Sequence, residues 1–263
     1  DTGYNGAVQR MLIDVNGVVN FGVASPQYAK KVNIQGDNGY TLSLSNQDYT
    51  GHAAGSLSGI EGRIQCGGGI WSSSGVRFVK HNGTSGDKHS RLELYANDGY
   101  ASRNSLIVNP EGEITKPYQP SFRAGLSGNT TVNTNAYIVF NDTGSTWHHN
   151  TGNHYSTSNG RFTAPVDGVY QFNICVIFGP FSGTNNVFMG DAFLIYVNGG
   201  NAGYSGRRGY YISGDSGNNY YTDHMSVNIK LSATDYVQIR NGAPFTAIHG
   251  NTYYTWFAGT LLG

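Results

Sequence analysis

The nonapeptide Tyr170–Phe178, YQFNICVIF, constrains the fold more than any other stretch. Tyr170, Phe172, Ile174, Val176 and Phe178 alternate with Gln171, Asn173, Cys175 and Ile177. Strict period-two alternation of this length specifies a β-strand with one face in a core. Each large side chain on that face contributes about 2–3 kcal/mol when buried. Upstream, Pro165 and Gly168 stop the preceding run, Gly160-Arg161-Phe162, and turn the chain into the long strand.

Composition agrees with an all-β protein. Charged residues make up 12% of the 263 positions, about half the usual share. The chain holds 38 Gly, and its 19 Tyr outnumber 12 Phe and 3 Trp combined. Low charge with many turn residues and aromatics describes short strands joined by turns, not a disordered chain. The formal net charge of zero argues against a nucleic-acid partner, which needs a positive footprint. No apolar run reaches membrane-spanning length, so no membrane insertion is expected. The opening DTGYNGAVQR reads as the interior of a longer polypeptide. The two cysteines, Cys66 and Cys175, leave a disulfide and two free thiols both open, with Cys175's strand position favouring thiols.

Two hairpin signals bracket the first part of the chain. MLIDVNGVVNFG, residues 11–22, alternates around Asn16-Gly17. SLIVNPEGEITKP, residues 105–117, repeats its pattern, pairing Leu12, Ile13, Asn16, Gly17 and Val18 with Leu106, Ile107, Asn109, Gly112 and Ile114. This is the mark of a module of about a hundred residues. Between them lie β-like runs at 39–44, 62–65, 76–80 and 91–95, and a candidate helical turn at 25–35. These runs are too short to bury a good core alone, and sharing a core among copies is the natural remedy.

Lys116-Pro117-Tyr118-Gln119-Pro120 is a stiff, extended junction. It divides the chain into a β-rich, shaft-like region (1–115), the junction (116–120) and a C-terminal part (121–263). Ten strands are expected in the last part, at 121–127, 136–141, 153–157, 160–163, 169–178, 190–198, 202–206, 222–231, 235–240 and 254–262. Their number and turn spacing indicate a sandwich or jelly roll.

Residues 121–263 resemble the globular head of complement C1q, one of the tumour-necrosis-factor-like jelly rolls. The resemblance rests on Phe140-Asn141-Asp142, Tyr155, Gly160-Arg161-Phe162, Pro165, Gly168-Val169-Tyr170-Gln171-Phe172, Val197-Asn198-Gly199, Leu231, Asp235-Tyr236-Val237 and Phe257-Ala258-Gly259-Thr260-Leu261-Leu262. Ala233-Thr234-Asp235 departs from the Gly-Asp the family often carries, and no collagen-like run precedes the head. RMLIDVNGVV and SLIVNPEGEITKPYQPSFRA are similar to repeated modules of bacteriophage tail fibres, where such a segment leads into a C1q-like tip. The combined resemblance implies a homotrimeric virion fibre, joined at its N-terminal side to other tail or fibre proteins. Its head would adhere to a host cell-surface receptor, a glycan or a protein. The alternatives are a tip with polysaccharide depolymerase activity, or a bacterial or virion surface protein without a receptor role.

Catalysis finds little support in the residues. Glycan hydrolysis uses paired carboxylates, yet from residue 121 onward there is no Glu and only six Asp. Asp167 and Asp235 fall in tight turns that already explain them. There is no G-x-S-x-G, and Asp87 interrupts the phosphate-loop pattern between Gly86 and Lys88. His148, His149 and His154 read as a polar loop, without a metal-ligand frame. The resemblance implies calcium in some heads, with Asp191, Asp215 and Asp223 as oxygen donors; turn chemistry explains the same residues. No other cofactor is expected.

In such a jelly roll both termini lie at the base. Counting strands back from the last one puts the loops 179–189, 207–221 and 241–252 at the tip. It puts Asp167-Gly168, Asn198–Asn201 and Ser232–Asp235 at the base. The candidate ligand-binding residues are therefore Phe181, Asn185, Arg207, Arg208, Tyr210, Tyr211, Asp215, Asn219, Phe245, His249 and Asn251. Tyr supplies rigid amphipathic area at low entropic cost, and Asn supplies adaptable hydrogen bonds, a combination that suits a glycan. Packing of Tyr210, Tyr211, Tyr220 and Tyr221 at a trimer seam is the competing use. The Cys175/Ile177 end of the long strand is the expected subunit contact.

Overall fold

The structure is a computed structural model and describes residues 11–13, 19–21, 57–65, 71–81, 88–99, 101–181, 187–212, 219–243, 246–251 and 253–263. At several strand ends only the backbone is described. The expected run at 39–44, the helical turn at 25–35 and Cys66 lie outside these residues.

The first hairpin pairs β1 (Met11–Ile13) with β2 (Val19–Phe21). A five-stranded antiparallel meander follows: β3 (Leu57–Gln65), β4 (Trp71–Lys80), β5 (Ser90–Asn97), β6 (Ser102–Val108) and β7 (Ile114–Thr115). Its last turn is the second hairpin. There the Asn109 N–H donates to the Glu113 carbonyl and the Gly112 N–H to the Asn109 carbonyl, both at 2.9 Å.

The registers correct the expected alignment of the two hairpins. Ile13 pairs with Val19 across residues 14–18, and Val108 pairs with Ile114 across residues 109–113. Superposed this way, Asp14 matches Asn109 and Gly17 matches Gly112, giving LIDVNGVV over IVNPEGEI.

The meander is one-sided. On one face Val79, Glu93 and Tyr95 are buried, Arg91 pairs with Glu93 at 2.6 Å, and the Arg77 guanidinium lies 3.6 Å from the Tyr95 ring centroid. On the other face four cross-strand pairs are apolar, Ile60 with Val76, Phe78 with Leu92, Leu94 with Leu106, and Val108 with Ile114, while Lys80 opposite Ser90 and Arg103 opposite Ala96 lie toward its ends.

From residue 121 the chain forms two antiparallel sheets face to face. In chain order the strands are β8 (Ser121–Gly125), β9 (Thr130–Thr131), β10 (His149–Thr151), β11 (Tyr155–Ser156), β12 (Arg161–Thr163) and β13 (Gly168–Phe181). They continue as β14 (Val187–Val197), β15 (Gly200–Ile212), β16 (Asn219–Leu231), β17 (Tyr236–Asn241), β18 (Ala247–Ile248) and β19 (Trp256–Leu261). One sheet runs β10-β8-β19-β13, with β16 on β13 and the short β18-β9 pair at one end of β13. The other runs β11-β12-β17-β14-β15. This is an all-β, jelly-roll-like sandwich.

Among the described residues there are twelve strands here, not ten. The expected strand at 136–141 forms no ladder. Its alternation is real, since Ile138 and Phe140 are fully buried. However, it touches the two sheets at single points, Tyr137 opposite Arg240 and Asp142 opposite Gly125. Period-two alternation reports which side a residue faces, not whether a neighbouring strand pairs along it. The strands β9, β10 and β18 were not expected, being only two or three residues long.

The long strand behaves as its pattern requires. Tyr170, Phe172, Ile174, Val176 and Phe178 are buried, while Gln171, Asn173, Cys175 and Ile177 are half-buried on the outer face. The buried face joins an aromatic cluster in which Phe122 stacks on Tyr155 and Phe162 and meets Phe257 edge-on, with centroids 4.8–5.0 Å apart. Cys175 is a free thiol.

Candidate binding site at the distal end of the sandwich

The two ends of the sandwich are distinct. At one end Ser121 pairs with Thr260, the Leu261 N–H donates to the Pro120 carbonyl (3.0 Å), and the Gln119 amide donates to the Leu261 carbonyl. The turns at Asp167, Asn198 and Ser232–Asp235 lock together there. The Asp167 carboxylate accepts the Ala233 N–H at 2.7 Å, and the Asn198 amide donates to the Asp235 carboxylate at 2.7 Å. At the opposite end, Gly125 pairs with Trp256, β13 pairs with β18 at Phe178 and Ile248, and the chain turns through 249–255.

At this distal end, Ile177, Tyr220, His249 and Tyr254 line a hollow of about 290 Å³. The His249 ring stacks on Tyr254 (centroids 5.4 Å apart, interplanar angle 23°) and meets Tyr220 edge-on (4.8 Å, 62°). Tyr220 and Tyr254 are each 47% exposed. The His249 Nδ1 is buried without a hydrogen-bond partner.

The backbone around His249 is fixed from three sides. Its N–H donates to the Ile177 carbonyl (2.8 Å), and its carbonyl accepts the Thr255 hydroxyl (2.8 Å). Thr255 is fully buried; its Oγ also accepts the Ile177 N–H (3.0 Å) and its carbonyl accepts the Leu126 N–H (3.1 Å). One threonine thus ties the end of β13, the 249 turn and the end of β8 together. Gly250 allows the third contact. A Cβ there would lie 1.6 Å from the Gly128 carbonyl oxygen, and the Gly250 N–H donates to the Asn129 side chain at 2.9 Å. Backbone lies against backbone, so no side chain fits.

Of the residues chosen from the sequence, His249 lies in this hollow. Asn251 lies beside it, but its side-chain oxygen accepts the Tyr253 N–H (3.4 Å) and its carbonyl the Tyr254 N–H (2.9 Å). It shapes the turn. Phe181 and Asn219 are cross-strand neighbours, Arg207 lies opposite Asp191, and Tyr210 and Tyr211 lie opposite Met189 and Phe188. Arg208 follows in β15. For these strand-end positions only the backbone is described. Asn185, Asp215 and Phe245 lie outside the described residues.

The sequence reading missed Tyr254, Thr255 and Ile177 as site residues, and left Tyr220 open between a tip loop and a trimer seam. Tyr254 was assigned to the last strand, which in fact begins at Trp256. The Asn251 turn moves it into the loop.

The three histidines do different things. The His148 Nδ1 lies 3.4 Å from the Asp142 carboxylate, inside the fold. His149 sits in β10 opposite Arg123, and burial, with Arg123 and His148 nearby, lowers its pKa. Burial also lowers that of His154. Among the described residues no three His, Cys, Asp or Glu side chains gather in a way that could hold a metal. Of the three expected calcium ligands, Asp223 is buried and accepts the His224 N–H at 2.8 Å. The side chains of Asp191 and Asp215 are not described.

No curated protein matches this chain. Among solved structures, the globular domain of zebrafish complement 1qA protein is 16% identical, matching 55% of this chain and 98% of its own, with a TM-score of 0.38. Eiger TNF from S. frugiperda is 13% identical, matching 55% of this chain and 94% of its own, also with a TM-score of 0.38. The sequence model of the C1q domain matches residues 121–262, more than half of the chain. Domains of this type are often trimeric binding modules, generally without catalysis. By that match, carried by the sandwich described above, the chain belongs to the C1q domain family.

Proposed function

We propose that this chain is the distal part of a bacteriophage tail fibre, a homotrimer on the virion whose sandwich adheres to a host cell-surface glycan without turnover. The observation that carries the reading is the aromatic hollow at the end opposite the junction. Two half-exposed tyrosines flank a histidine whose backbone is held from three sides, and exposed aromatic side chains suit a sugar ring. Three identical hollows on one assembly would raise weak individual affinity through multivalency. Residues 1–115 form the shaft, 116–120 the boundary, and other fibre proteins attach on the N-terminal side. The Cys175/Ile177 end of β13's outer face makes the subunit contact, beside the hollow.

Binding without chemistry is supported by what the described carboxylates of the sandwich do. Asp142 accepts the Gly144 and Ser145 N–H groups, and Asp167, Asp223 and Asp235 each accept a backbone N–H at 2.7–2.8 Å. The test is adsorption of the purified chain to candidate host cells and to arrayed glycans, beside Tyr254→Ala and His249→Ala. Binding that is weakened in both variants, with no new reducing ends from host polysaccharide, is the expected result. Undiminished binding by both variants removes the hollow as the site, and new reducing ends replace adhesion with depolymerisation.

A further inference from the structure

The meander leaves one face without a partner among the described residues. Ile60, Val76, Phe78, Leu92, Leu94, Leu106, Val108 and Ile114 share that face by register. Ile60 is 55% exposed, Phe78 47%, Leu94 40% and Ile114 62%. An apolar strip crossing all five strands is not what a solvated face carries; antiparallel sheets with one wet side alternate apolar-in with polar-out. The side that is already packed is the one that carries the buried charge: Glu93 is buried there and Arg77 lies on Tyr95.

We propose that this face is covered by the same face of further copies of this chain, so that the meanders share one core. The inference rests on the homotrimer of the proposed function. Three observations favour copies over a foreign partner. The eight residues of the strip are all apolar, and the charged residues that share the face by register, Lys80 opposite Ser90 and Arg103 opposite Ala96, sit toward its two ends, so the middle of the strip offers a polar ligand nothing to recognise. Its size is small: five strands about 4.8 Å apart, with about six residues each at about 3.3 Å, give roughly 450 Å². A free partner needs about 800 Å² on its side for a stable interface. A small face suffices only when its partners are already held nearby, and the five residues 116–120 hold each meander beside its sandwich. Arg103 stacks over Tyr118 at 5.1 Å, and Gln119 and Pro120 bond to Leu261. Assembly of the sandwiches therefore brings the strips together at high effective concentration.

The test uses the full chain with a photo-crosslinking phenylalanine derivative in place of Phe78, and separately in place of Ile60. Glu61, exposed on the opposite face, is the control. Light scattering is run on each sample first. A trimer that gives interchain products from Phe78 and Ile60, and none from Glu61, is the expected outcome. A trimer whose products are intrachain and map to residues 22–56 overturns the inference and makes that segment the cover. A trimer without products at either position also overturns it while leaving the homotrimer standing. A monomer overturns both.

Discussion

Phe172 and Phe78 sit at comparable places, each mid-strand in an antiparallel sheet, and their surroundings are opposites. Phe172 is fully buried, with the Phe162, Tyr170 and Phe257 rings within 6.3 Å. Phe78 is half exposed, on a face it shares with the exposed Ile60, Leu94 and Ile114. The sandwich closes its core by folding two sheets on each other. Among the described residues the meander is a single sheet. A sheet on its own satisfies its backbone but has only one layer, so its apolar side needs a second.

Substitutions can break this comparison, beginning with the largest effect. Phe172→Ala should destabilise the sandwich by about 3–5 kcal/mol, the usual cost of deleting a buried aromatic ring, and the loss should not vary with protein concentration. A concentration-dependent loss would mean that the sandwich core also depends on assembly. Gly259→Ala should cost about 1–3 kcal/mol by overpacking. A Cβ at Gly259 would lie 2.5 Å from the Phe122 ring and 2.8 Å from that of Phe172. A thermal melt unchanged from the parent would show that the rings have room to move.

The next effect belongs to pH. Burial lifts the Tyr155 phenol above its ordinary 10.0 and the Cys175 thiol above 9.0. As pH rises the unfolded chain loses these protons first, so it binds fewer than the folded one and stability falls. Both contributions are complete below pH 9 and are lost as pH rises through the folded values. Tyr155→Phe should therefore flatten the alkaline fall in melting temperature, and an unchanged slope would rule out the phenol as its source.

Phe78→Ala should cost only about 1 kcal/mol, and, unlike Phe172→Ala, less at low protein concentration, where its cover dissociates. Equal loss at all concentrations would place that cover within the chain. Tyr254→Ala should be the mildest, within about 0.5 kcal/mol of the parent in a melt, while lowering glycan adsorption. A large stability loss would make Tyr254 a packing residue.

What the sequence made legible follows from the strength of each local signal. The alternation of Tyr170–Phe178 is long enough to fix both the strand and its buried face. Strand counting back from residue 262 led to His249, because antiparallel strands alternate ends whatever their side chains. The run 136–141 has the same alternation but lies across the gap between sheets, and nothing in its residues distinguishes a ladder from isolated bridges. Tyr253-Tyr254 has strand-forming composition, yet Asn251 holds both residues in a turn, its side chain accepting the Tyr253 N–H and its backbone carbonyl the Tyr254 N–H. Thr255 carries no signal at all. A buried threonine becomes visible as a junction only when β13, the 249 turn and β8 converge on it. In the meander, the Asn16-Gly17 dipeptide is a strong hairpin cue, but cross-strand register centres that loop on residue 16.

The strands that begin and close the sandwich lie side by side, and its first and last turns of chain meet at Pro120, Leu261 and Gly263. A unit anchored at one end in this way behaves as a cassette. Recombination at the junction codons could exchange the whole binding end while leaving the preceding sheet intact, and each incoming unit would bring its own distal loops. Binding specificity would then change in single steps, by replacing a module, instead of by gradual remodelling of one surface.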